Sequence, residues 1–152
     1  SLFAAATKVG SILANKENKI KEALEFYGKN LGLTFQIADD ALDYNSELKL
    51  FGKEIGNDFY EGKITLPIIL LYQKANSNEK KEIKYFFEKK ERSENELKKV
   101  LSMIKKYNII FDCYEKAKHF INLASNSLSI FHESKEKNIF QNLTSFSLER
   151  TF

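Results

Sequence analysis

Between Lys19 and Tyr44 the chain places Ile20, Ala23, Leu24, Tyr27, Leu31, Phe35, Ala38 and Leu42 largely at steps of three and four. That spacing puts one apolar stripe down one side of a single long helix, which must bury the stripe against other elements to be stable. Gly28 and Gly32 lie four apart on one face of this helix. Each gives up about 1 kcal/mol of helix propensity relative to alanine, and together they predict the close approach of a neighbouring helix.

One proline and six glycines in 152 residues leave few breakers, and helical spacing recurs along most of the chain, so the predicted class is all-α. Asn45 to Gly62 has no sustained period and reads as a loop with a short turn at Leu48 to Phe51. Thr65 is placed to cap a helix over Leu66 to Ala75, with Pro67 in its first turn. Helices are predicted over Asn78 to Lys90 and over Ser93 to Lys106, the latter opening with the capping box Ser93-x-x-Glu96. Two more follow over Asn108 to Phe131 and Lys135 to Glu149. No repeat, linker or low-complexity segment interrupts them, and residues 1–152 read as one domain.

Several functional classes are excluded at this level. The longest apolar run, Leu66 to Tyr72, is far shorter than the roughly 20 residues of a bilayer-spanning helix. The single cysteine, Cys113, can form no internal disulfide, and the natural compartment is a reducing cytoplasm. The opening residues have no initiating methionine or basic leader, so the start reads as a cut rather than a secretory signal. Between Lys74 and Lys106 eleven Lys or Arg face six Glu, an excess of five positive charges. A solvated helical face explains that excess. Only Arg92 and Arg150 are arginines, and a chain so poor in guanidinium forks is not built to read nucleic acid.

The chemistry is concentrated on one helical face. Gln36, Asp39, Asp40 and Asp43 follow at spacings of three, one and three, so they crowd together over two turns. Like charges four apart cost a helix roughly 0.2–0.5 kcal/mol, so three aspartates that interrupt a core-facing apolar stripe require a reason. Magnesium provides one, because this hard cation takes carboxylate oxygens and completes its octahedron with water and substrate phosphate. His119 and His132 stand isolated along the chain and complete no zinc or iron site. Directly after the acidic helix come Gly52-Lys53-Glu54-Ile55-Gly56-Asn57-Asp58 and Glu61-Gly62-Lys63-Ile64-Thr65-Leu66-Pro67. Glycines permit close backbone approach, and a lysine ammonium suits a diphosphate oxygen. Carboxylates, magnesium and lysines in this order describe a metal-diphosphate site.

Phe35-Gln36-Ile37-Ala38-Asp39-Asp40-Ala41-Leu42-Asp43-Tyr44 resembles the second aspartate-rich motif of the trans-isoprenyl diphosphate synthases. Gly52-Lys53-x-x-Gly56-x-Asp58 and Glu61-Gly62-Lys63-x-Thr65-Leu66-Pro67 resemble the loop and helix start that follow it in the long-chain, octaprenyl-type members. Ser1-Leu2-Phe3 resembles the segment after the family's Lys-Thr pair, and Leu143 to Arg150 its closing helix. The resemblance implies the C-terminal half of an all-α bundle of the isoprenoid synthase type, usually dimeric. It implies an enzyme that joins isopentenyl diphosphate to an allylic diphosphate with Mg2+. Asp39 and Asp43 would hold the metal, with Asp40 as ligand or neighbour. Lys53 and Lys63 would bind the allylic diphosphate, Gln36 would lie beside the developing allylic cation, and Arg150 could close over substrate. Phe3, Phe26, Tyr27, Phe35 and Tyr44 are either core or lining of a product channel. The family's first aspartate-rich motif and isopentenyl site would lie upstream of Ser1, so the isolated chain is expected to be inactive without a partner or the complementary half. A non-catalytic subunit kept for association is the main rival reading, and a ligand-free helical interaction module is another. A terpene cyclase is disfavoured by the lysine loop.

Overall fold

The computed structural model describes residues 2–45 and 55–149. The described residues contain helices and turns and no strand. The described helices are α1 (Leu2–Leu13), α2 (Asn18–Tyr44), α3 (Asn57–Glu61), α4 (Leu66–Lys74), α5 (Ser77–Glu88), α6 (Glu94–Lys106), α7 (Ile109–Ser127) and α8 (Lys135–Glu149), with a 3-10 turn at Leu128–Ile130. No described helix is long and apolar enough to cross a membrane. The chain divides into two compact units, one of residues 1–38 and 114–152, the other of residues 39–113.

In the first unit, Tyr27 and Leu31 of α2 pack with Ile121 and Ala124 of α7 and with Leu128. Phe3, Leu24, Phe131 and Phe140 close over this cluster. Tyr27 is fully buried, stacks edge-on against Phe140 at 5.1 Å and donates its hydroxyl to the Phe140 carbonyl at 2.7 Å. Burial pushes the phenol up to about 12, so it remains a donor at any physiological pH. The predicted close approach at Gly28 is present: a Cβ there would collide with the Phe3 carbonyl and the Thr7 hydroxyl. The hydroxyl of Thr7 uses that proximity, donating to the Leu24 carbonyl at 2.6 Å. At Gly32 a Cβ would meet the Phe3 ring at 3.2 Å.

The buried stripe of α2 differs from the predicted one in its second half. It runs through Tyr27, Leu31, Thr34, Ala38, Ala41 and Tyr44, while Phe35 is 37% exposed and Leu42 is half-buried. The buried positions after Leu31 still recur at steps of three and four, but with Thr34 in place of Phe35 and Ala41 in place of Leu42. The Thr34 hydroxyl bonds the Asn30 carbonyl at 3.1 Å, with the Ala117 carbonyl of α7 at 3.3 Å.

The second unit buries Phe59, Ile68, Leu71, Ile83, Phe86, Val100, Met103, Ile104, Ile109 and Cys113, and α4 packs on α5 and α6. The Ser93–Glu96 capping box forms as predicted. A second one, Asn76–Glu79, starts α5 one residue earlier than the periodicity suggested. Thr65 occupies the cap position of α4 but its hydroxyl makes no cap bond. The lysine-rich stretch is laced with ion pairs, among them Lys89–Glu96, Lys99–Glu82 and Lys106–Glu79 at 2.6–3.0 Å. These pairs and the exposure of the lysines account for the local charge excess as a solvated surface.

Candidate diphosphate site

Asn45 to Gly62 does not remain a loop throughout. Its second part folds into α3, a five-residue helix too short to form on propensity alone. It is held from outside at both ends. At its N-terminus, Asp43 of α2 accepts the backbone N–H groups of Asn57 at 3.1 Å and Asp58 at 2.9 Å, one on each carboxylate oxygen. The Gly56 N–H also donates to the Asp43 carbonyl at 2.9 Å. A carboxylate at a helix N-terminus satisfies orphan donors and meets the positive end of the helix dipole. Gly56 lies at φ 85° and Gly62 at φ 75°, the left-handed region glycine occupies without strain. Phe59 anchors the middle, fully buried and edge-on to Phe87 at 5.5 Å.

The three aspartates therefore occupy different environments. Asp39 is exposed, Asp43 half-buried, and Asp40 is buried at 8% exposure. The sequence reading set the carboxylates inside the core-facing stripe; they lie along its edge, with Asp40 on the inner side and Asp39 in solvent. Burial raises the Asp43 carboxyl above its ordinary range, the Asp58 and Asp39 charges add to this, and the two backbone N–H bonds partly oppose it. Such a carboxylate gains from a nearby cation. Gln36 is exposed one turn before Asp40 on α2.

Lys63 follows α3 directly. Its ammonium pairs with Glu61 at 2.6 Å and Asp58 at 3.3 Å, and the first of these contacts is the larger cause of its raised pKa. Asp58 thus ties the two motifs together: its N–H goes to Asp43 and its carboxylate to Lys63. Although Asp58 stood in the quoted loop motif, its linking role could not be read from spacing. Lys53 and Arg150 lie outside the described residues. Tyr44 is 1% exposed. Its hydroxyl is buried; burial first, then the Asp43, Asp58 and Asp40 charges, raise its pKa, and the neighbouring Thr65 hydroxyl partly opposes them. It is core, as is Tyr27. His119 and His132 are both exposed.

Among the described residues no three carboxylate, imidazole or thiol groups form a cation cage by themselves. Magnesium needs no such cage, since one or two carboxylates suffice when phosphate oxygens and water supply the remaining ligands. An exposed Asp39 beside a half-buried Asp43 is an all-oxygen donor set of that kind. In the first unit, Phe3, Leu31, Phe35, Leu143, Phe146 and Ser147 line an apolar cavity of about 130 Å3.

The described residues are helical, and the aspartate-rich helix leads into a turn that carries Lys63. Residues 1–104 match the Polyprenyl synthetase family. Over 150 residues the chain is 32% identical to solanesyl diphosphate synthase 2, chloroplastic, of Arabidopsis thaliana, covering 99% of this chain and 35% of that protein. The crystal structure of a decaprenyl diphosphate synthase from Rhodobacter capsulatus superposes with a TM-score of 0.91 at 30% identity, over 99% of this chain and 46% of that one. A polyprenyl synthase from Caulobacter crescentus, complexed with calcium and isoprenyl diphosphate, gives 0.89 at 32% identity, over 99% and 46%. The chain belongs to the polyprenyl synthetase family, and it spans less than half the length of these relatives.

Proposed function

We propose that this chain is the part of a polyprenyl diphosphate synthase that holds the diphosphate of the allylic substrate for condensation with isopentenyl diphosphate. The observation that carries the reading is the bracing of α3: Asp43 grips its N-terminus while Asp58 pairs with Lys63, so acidic helix and lysine turn form one block. Asp39, with Asp43 and Asp40 beside it, would hold Mg2+. When bound, the metal neutralises charge that grows on the departing diphosphate. Lys63 exchanges its exposed pairs with Glu61 and Asp58 for diphosphate oxygens at little cost, since such surface pairs are worth about 0–1 kcal/mol. Lys53 and Arg150 would add positive charge to the same group. Gln36 would supply an amide oxygen to the positive charge developing on the allyl group. This is stabilisation by groups positioned before reaction.

The calcium and isoprenyl diphosphate of the Caulobacter relative support an oxygen-ligated cation and a prenyl diphosphate as ligands. Residues 1–152 would act as part of one domain, in the cytoplasm, completed by the complementary half and a second copy of the protein.

Magnesium with a hydrolysis-resistant geranyl diphosphate analogue should raise the chain's melting temperature, because only the folded site binds them. Asp39→Asn should abolish the shift. A shift that ignores magnesium or survives Asp39→Asn refutes the reading.

A further inference from the structure

Arg92 is one of two arginines in a chain with 24 Lys and Arg. It stands between α5 and α6, where nothing in a solvated connection calls for a guanidinium. Its Nη2 donates to the Phe87 carbonyl at the end of α5 at 2.9 Å, and its Nη1 to the Tyr60 carbonyl in the last turn of α3 at 3.3 Å. The plane lies over the Phe87 ring at 5.5 Å. Nε is buried with no hydrogen-bond partner among the described residues, so the fork to two carbonyls holds the side chain. The guanidinium rests directly on Gly62, where a Cβ would sit 2.5 Å from Nη2. Gly62 and Lys63 in turn close α3 by donating to the Phe59 and Asp58 carbonyls at 3.0 and 2.8 Å.

The short helix therefore has a carboxylate at its positive end and a guanidinium at its negative end, each from a distant part of the sequence. We propose that Arg92 is a positioning residue that sets Lys63 against the diphosphate, acting through Tyr60 and Gly62 without touching the ligand. This rests on the reading that Lys63 binds diphosphate. Lysine at 92 could reach one carbonyl and lacks the planar fork, so Arg92→Lys should restore the function only in part.

A double-mutant cycle separates the possibilities. Affinity for inorganic diphosphate with magnesium is measured by calorimetry for the wild-type chain, Arg92→Met, Lys63→Met and the double variant, with amide exchange followed at Gly62 and Lys63. The expected result is a loss of about five-fold for Arg92→Met when Lys63 is present and under about two-fold when it is absent, within the coupling range of residues that share partners. Exchange at the two amides should accelerate in both backgrounds. If Arg92→Met does not fold at the assay temperature, Arg92→Lys takes its place in the cycle, with a smaller loss of the same pattern. Equal losses in both backgrounds, or a silent Arg92 where Lys63→Met weakens binding, overturn the proposal. A wild-type chain that binds no diphosphate, or a silent Lys63→Met, overturns the reading of Lys63 itself and the proposal with it.

Discussion

Replacing Asp43 separates its structural work from its charge. Asp43→Ala orphans the N–H groups of Asn57 and Asp58, which the carboxylate accepts at 3.1 and 2.9 Å. Loss of an N-terminal cap costs about 0.5–2 kcal/mol. The Asp58 end is partly buried, so water replaces the carboxylate incompletely and the upper half of that range, about 1–2 kcal/mol, is expected. In a chain of this size that corresponds to a fall in melting temperature of roughly 2–8 °C. Asp43→Asn keeps one acceptor oxygen and loses the other to an NH2 group that can only donate. Since asparagine caps about as well as aspartate, its fall should be less than half as large. Affinity for magnesium diphosphate should order differently, with both variants weakened about ten-fold or more, because the charge is gone in each. Thermal unfolding and calorimetric titration of the three chains decide it. An Asp43→Ala chain that melts with the wild type refutes the cap, and an Asp43→Asn chain that binds normally refutes the charge.

Gly28→Ala gains about 1 kcal/mol of propensity but forces a methyl into the Phe3 carbonyl, so urea unfolding should show a net loss of about 1–3 kcal/mol. Gly10→Ala, with nothing within 4 Å, should instead stabilise by up to about 1 kcal/mol. Glu79 is held down to about 2 chiefly by Lys106 and then Tyr107, and Glu96 to about 2 chiefly by Lys89. Folded values below the unfolded one give stability that is present above about 4.5 and lost as pH falls toward 2; Glu79→Gln with Glu96→Gln should flatten that acid limb of the melting profile. Tyr27→Phe should cost about 1 kcal/mol by removing the buried hydroxyl's bond to the Phe140 carbonyl, read by chemical denaturation.

What the sequence disclosed follows from where each signal resides. The long helix, the close approach at Gly28 and the Ser93 capping box are written in residues a few positions apart, and all three stand in the structure. Helix α3 was missed because no five-residue period exists to detect, and what holds it comes from Asp43, fourteen residues earlier, and Arg92, beyond the next two helices. The acidic motif was legible as a cluster but not as three environments, since exposure of Asp39 and burial of Asp40 depend on which positions the stripe takes after Leu31. Thr65 had the right position for a cap, yet position alone does not aim its hydroxyl. Arg92 carried one usable signal, its rarity among so many lysines.

The central claim, that Asp39 to Asp43 hold a divalent cation against a diphosphate, is tested most directly with manganese in place of magnesium. Paramagnetic broadening of the amide spectrum, recorded with and without a hydrolysis-resistant geranyl diphosphate analogue, maps the ion onto the chain. The account predicts strong broadening at Gln36, Asp39, Asp40 and Asp43 that tightens with the analogue, extends to Lys63 and disappears in Asp39→Asn. Broadening centred elsewhere, or unaffected by Asp39→Asn, contradicts it.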